Sequence, residues 1–99
     1  MTKPDIRFIA ELENIVRSRL EDGDAESYTA RLAAAGTRRI AQKVGEEGVE
    51  LALASTSGNN QEIIDEAADL VYHVIVLLNE RALSLEDVSR RLEMRHAPH

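Results

Sequence analysis

The stretch Glu62-Ile63-Ile64-Asp65-Glu66-Ala67-Ala68-Asp69-Leu70-Val71-Tyr72-His73-Val74-Ile75-Val76-Leu77-Leu78 decides how this chain folds. At about 100° per residue, Ile63, Ala67, Leu70, Val71, Val74, Ile75, Leu77 and Leu78 cover well over half the circumference of a helix. One neighbouring helix cannot cover so broad an apolar surface. Such a helix belongs at the centre of a bundle, or is shared between subunits. Tyr72 reads as a core ring with its hydroxyl bonded. His73, one turn beyond Asp69, reads as a half-buried, hydrogen-bonded histidine.

Working outward, apolar periodicity is helical throughout and no segment alternates as a strand. The fold class is therefore all-α, a bundle of about five helices. A first helix follows Pro4-Asp5, with Phe8, Ile9, Leu12, Ile15, Val16 and Leu20 as its stripe, and the polar residues 21–26 end it. A short second helix runs from near Ser27 to Gly36, a left-handed C′ glycine. Thr37 is the expected cap of a third helix reaching about Ser55, and residues 56–60 read as a loop. The fourth helix spans about 61–81. The fifth starts from a Ser84 cap, with Asp87 at its third position, and ends near Met94; beyond it the tail, with His96 and His99, frays.

Composition bounds the function. Ninety-nine residues make one domain, 1–99, of which 1–26 form an N-terminal helix and linker. Phe8, Tyr28 and Tyr72 are the only aromatics, so Leu, Ile, Val and Ala must build the core. So little core in so small a chain points to a homo-oligomer, a dimer being favoured. A net charge of −6 argues against nucleic acid or an anionic membrane as partner. The absence of cysteine excludes disulfides, thiolate metal sites and cysteine nucleophiles. Residues 1–7 lack the apolar core of a signal peptide, and the longest apolar stretch, 70–78, is too short for a bilayer. A soluble cytoplasmic protein is the default expectation.

The acids carry the chemistry. Glu46-Glu47-Gly48-Val49-Glu50 and Glu62-x-x-Asp65-Glu66-x-x-Asp69 place like charges three and four residues apart. Each such pair costs a few tenths of a kcal/mol. Leu51, Ala54 and Leu70 stand four residues after Glu47, Glu50 and Glu66, so no cation offsets them there. An antiparallel hairpin of the third and fourth helices sets Glu50 level with Glu66, roughly 8 Å from the turn, and Glu47 level with Asp69, near 12 Å. With Glu46 beside them, these carboxylates surround a space suited to a hard divalent ion: Mg²⁺ first, Mn²⁺ second. Mg²⁺ sites commonly take substrate phosphate oxygens, which implies a phosphorylated ligand. Lys43 points along the acidic face toward such a phosphate, with Arg39 a further candidate. Gly45 and Gly48 weaken the helix and allow close approach.

Lys43-Val44-Gly45-Glu46-Glu47-x-x-Glu50 followed by Glu66-Ala67-Ala68-Asp69-Leu70-x-Tyr72-His73 resembles phosphoribosyl-ATP pyrophosphohydrolase of histidine biosynthesis. The wider relatives are the all-α NTP pyrophosphohydrolases, the MazG-like group, marked by EExxE followed by ExxD. Ser27-Tyr28-Thr29-x-x-Leu32 with Gly36, Val76-Leu77-Leu78, and Ser84-Leu85-x-Asp87-Val88 extend the resemblance over residues 27–95. Gly48 departs from the family's usual Ala or other small residue. The resemblance is to the stand-alone form rather than a fusion with the cyclohydrolase. It implies hydrolysis of the α–β phosphoanhydride of phosphoribosyl-ATP to phosphoribosyl-AMP and pyrophosphate. By motif position Glu47, Glu50, Glu66 and Asp69 hold the metal, and Glu46 and Glu47 are the catalytic candidates. Tyr28 and Thr29 join the substrate site on the family motif alone. The alternative within the superfamily is a house-cleaning (d)NTP pyrophosphohydrolase. A non-catalytic helical module is the alternative outside it.

Overall fold

Short polar side chains start three of the five helices. The computed structural model describes residues 3–23 and 26–98. Its helices are α1 (Arg7–Asp22), α2 (Tyr28–Ala35), α3 (Thr37–Ser57), α4 (Asn60–Glu80) and α5 (Leu85–His96). Among the described residues there is no strand, and the all-α expectation holds. Part of the linker, Asp24 and Ala25, and the tail residue His99 lie outside the described residues. Ser27 accepts from the Ala30 N–H at 3.3 Å, and Asn59 from the Glu62 N–H at 2.9 Å. Ser84 and Asp87 form a reciprocal capping box. Each cap is worth about 1 kcal/mol.

Thr37 is not a cap. Gly36 precedes α3 with φ 98° and ψ 167°, a region outside the left-handed helix that essentially only glycine occupies. The chain therefore enters α3 directly at Thr37, whose hydroxyl donates to the Glu80 carboxylate at 2.9 Å. That bond ties the start of α3 to the end of α4. At the other end the expected five-residue loop contracts to Gly58-Asn59. Ser55, Thr56 and Ser57 turn their hydroxyls back onto the carbonyls of Leu51 and Leu53, so the helix continues through them.

α4 is central: it packs on α1, α2 and most extensively on α3. The core joins Val16 of α1, Leu32 of α2, Ile40 of α3, and Ile75 and Val76 of α4. Each fully buried side chain contributes roughly 1.5–3 kcal/mol. Glu13 on α1 accepts from the Asn79 amide at 3.0 Å and from the Leu85 N–H at 2.8 Å, setting a negative charge at the N-terminus of α5. Beyond Leu85, every described residue of α5 is exposed. The α1 stripe is only partly used: Val16 is buried, while Phe8, Ile9 and Ile15 are exposed. More of the large apolar side chains are exposed than buried. No helix is long and apolar enough to cross a membrane among the described residues.

α4 ends in a Schellman turn, with Leu83 N–H donating to the Leu78 carbonyl and Ala82 N–H to that of Asn79. The turn holds Ala82 at φ 61°, where glycine is usual. A left-handed alanine costs about 1–2 kcal/mol, and the added freedom of an unfolded glycine returns about 0.4–1 of that. Ala82→Gly is expected to stabilise the protein by roughly 0.5–1 kcal/mol, raising Tm by a few degrees in a thermal melt. An unchanged or lower Tm would contradict the strain argument.

Candidate active site

Because α3 and α4 lengthen into the turn by similar amounts, their acids remain level. Glu47 of α3 meets Glu66 and Asp69 of α4, with one carboxylate oxygen from each lying within 4.8 Å of the others. Oxygens on an octahedral ion with bonds of 2.0–2.1 Å lie about 3–4 Å apart. A small contraction of this trio would seat such an ion. The donors are all carboxylate oxygens, which suits Mg²⁺ or Mn²⁺ and offers nothing soft. The residues present fit the group.

Glu50 stands outside the trio. With Glu62, Asp65 and Glu66 it lines an adjoining cleft of about 280 Å³. Glu46 points elsewhere, toward Arg39 at 3.8 Å. Lys43 reaches Glu47 at 3.4 Å, and both side chains are well covered. The acids of α3 are therefore partly compensated from upstream, although the positions downstream of them hold no cation. Among the described residues no cation pairs with Glu50, Glu66 or Asp69. Burial first, then the charges of Glu50, Asp69, Glu47 and Asp65, hold the Glu66 carboxyl above the usual carboxylate range.

α2 closes one side of the site through two paired contacts. Tyr28 bonds the His73 Nε2 at 2.9 Å, and the Thr29 hydroxyl bonds that of Tyr72. Thr29 is fully buried, and its hydroxyl is used inside the bundle. Tyr28 is 44% exposed. His73 is 6% exposed, more deeply buried than its sequence position suggests, and its Nδ1 lies 2.8 Å from the Asp69 backbone carbonyl. The helical spacing of His73 from Asp69 was visible in the sequence. Its bond to Tyr28 crosses 45 residues and was not.

This fold and this cluster define a class: an all-α protein with an oxygen-only candidate divalent-metal site between two antiparallel helices. The model for phosphoribosyl-ATP pyrophosphohydrolase matches residues 9–96, taking in α1 as well as the motif-bearing helices. The chain belongs to that family. It is 52% identical over 94 residues to the histidine biosynthesis bifunctional protein HisIE of Photobacterium profundum, covering 95% of this chain and 45% of that protein. Against the protein of the same name from Pasteurella multocida the identity is 55% over 95 residues, 96% of this chain and 47% of the relative. For that of Campylobacter jejuni it is 52% over 92 residues, 93% and 44%. The chain thus spans a little under half the length of these relatives.

A carboxyl whose folded-state value is raised favours the folded protein while protonated, and that advantage is lost as pH rises through the raised value. In chelator at pH 7, Glu66→Gln should therefore melt higher than wild type, and the gap should close as pH falls through the carboxylate range. Millimolar Mg²⁺ should stabilise wild type and leave Glu66→Gln unmoved. A wild-type melt indifferent to both pH and Mg²⁺ would contradict this reading of the cluster.

Proposed function

We propose that this chain hydrolyses the α–β phosphoanhydride of phosphoribosyl-ATP, releasing phosphoribosyl-AMP and pyrophosphate in histidine biosynthesis, as a cytoplasmic, Mg²⁺-dependent enzyme. The observation that carries the reading is the convergence of Glu47, Glu66 and Asp69 within 4.8 Å in a chain of this family. A protein of net charge −6 otherwise repels a polyphosphate. A bound Mg²⁺ would neutralise phosphate oxygens and stabilise charge on the leaving group.

The chain's own groups supply the rest. Glu47, Glu66 and Asp69 would hold the ion, with Glu50 of the adjoining cleft as a further ligand. Lys43 exchanges its contact with Glu47 for a phosphate oxygen, and Arg39 stands one turn behind it. Glu46 would turn from Arg39 toward the cluster, either as a further ligand or to orient the attacking water and take its proton. The water oxygen bonds to phosphorus as the anhydride oxygen departs with the other phosphate group. Tyr28 contacts the nucleotide, while Thr29 braces α2 against α4.

The assay is pyrophosphate release from phosphoribosyl-ATP with Mg²⁺ and with chelator. Replacing Glu47, Glu66 or Asp69 by its amide should lower kcat/KM more than about a hundredfold, the upper range of second-shell changes at metal sites. Full activity in chelator or in these variants would overturn the proposal. Faster turnover of ordinary dNTPs would favour the house-cleaning reading instead.

The reading includes a homodimer. Val49 and Leu53 on α3, and Ile64 on α4, are each about 60% exposed on the hairpin that carries the acids. The cleft lined by Glu50 and Glu66 includes Leu53, so a second copy over this apolar face would also cover the cleft. Leu53→Glu should convert a dimer to a monomer by analytical ultracentrifugation. A monomeric wild type would reject the dimer.

A further inference from the structure

His73 bonds at both ring nitrogens, and this fixes the direction of both bonds. Its Nδ1 partner, the Asp69 carbonyl oxygen at 2.8 Å, only accepts, so Nδ1 carries the hydrogen. A neutral imidazole holds one ring hydrogen. Nε2 is then bare, and the Tyr28 hydroxyl at 2.9 Å must donate to it.

The consequence lies at Tyr28. Its only hydroxyl hydrogen is committed inward, while the residue as a whole remains 44% exposed. The remaining lone-pair capacity of the oxygen is what it can offer a ligand. The ring is held in place: Tyr72 lies 6.3 Å away, centroid to centroid, and the His73 ring meets it edge-on at 5.8 Å. The neighbouring Thr29–Tyr72 bond anchors the same turn of α2. Through one imidazole, the hydroxyl is coupled to the backbone of Asp69, a member of the acidic trio.

We propose that Tyr28 is a hydrogen-bond acceptor for a donor group on the nucleotide, a sugar hydroxyl or a base amino group, and that His73 is the positioning residue that fixes this polarity. Ionised phosphate oxygens, which only accept, are thereby excluded as partners of Tyr28; they fall to Lys43 and Arg39. The ligand half of this inference rests on the nucleotide reading of the site, whereas the polarity half does not.

The polarity is read by long-range ¹H–¹⁵N correlation of the metal-free protein at pH 8, above the ordinary imidazole range. A hydrogen on Nδ1 and a bare Nε2 at His73 are expected. A hydrogen on Nε2 overturns the proposal whatever the chain hydrolyses. The ligand half is read by steady-state kinetics on Tyr28→Phe, His73→Asn and the double variant. His73→Asn keeps an N–H for the Asp69 carbonyl but leaves the Tyr28 hydroxyl without its acceptor.

Tyr28→Phe should raise KM for phosphoribosyl-ATP roughly five- to tenfold with kcat nearly unchanged. His73→Asn should raise KM in the Tyr28 background and add nothing in the Phe background. Independent, additive effects would overturn the positioning role. Substrates lacking the 2′-hydroxyl, the 3′-hydroxyl or the base amino group distinguish the donors: for one of them Tyr28→Phe should match wild type. Equal discrimination against all three overturns the acceptor role. An inactive wild type with the expected tautomer rejects the proposed function and the ligand half together, and leaves the Tyr28 polarity standing.

Discussion

Mutual repulsion among carboxylates is the constraint around which this small protein is arranged. Glu47, Glu66 and Asp69 share a space in which each would rather be solvated alone. The α3–α4 hairpin holds them there, and both of its ends are fastened. The Gly58-Asn59 turn closes one end, and the bond from Thr37 to Glu80 closes the other. Between these points the hairpin is supported by the burial of Ile40 against Ile75 and Val76. A few kcal/mol from that core outweighs the several tenths lost to each like-charge pair. The cations are distributed unevenly: Lys43 and Arg39 pair with Glu47 and Glu46 of α3, and Glu50, Glu66 and Asp69 have no ion pair among the described residues.

α2 bonds to α4 within one turn of the cluster. Asp69 offers its side chain to the cluster and its backbone carbonyl to His73. His73 passes the connection to Tyr28, and Thr29 repeats it one residue along through Tyr72. A helix of eight residues has little stability by itself. Two hydroxyl contacts and the buried Leu32 fix its orientation. Of the few aromatic residues, Tyr72 packs against the core and meets the Tyr28 ring, and Phe8 is left exposed.

Legibility divides along sequence distance. The helices and the Ser84 cap rest on local periodicity and local hydrogen bonding, and such signals read directly, whereas Asn59 was read as loop and caps α4. Matching the levels of Glu47 and Asp69 needed only helix rise and an antiparallel turn. The polar run 56–60 misled because serine and threonine hydroxyls satisfy helix carbonyls as readily as they open a loop. Thr37 looked like a cap because its real partner, Glu80, lies 43 residues away. Thr29 joined the substrate residues through a motif, and only the packing of α2 on α4 shows its hydroxyl turned inward. Pattern cannot reveal such pairings, because they depend on which faces of two helices meet.

The exposed apolar residues follow from the same economy. A hairpin that devotes one face to carboxylates and another to α1 and α2 has little interior left to bury the rest. Val49 and Leu53 lie on α3 either side of Glu50, so the surface in need of cover adjoins the acids. Water on that face would screen the charges that the site must concentrate. A second copy covering Val49, Leu53 and Ile64 would bury apolar area and lower the local dielectric together, strengthening the grip of the carboxylates on a cation. On the dimer reading, assembly and ion binding thus reinforce one another through the same two helices.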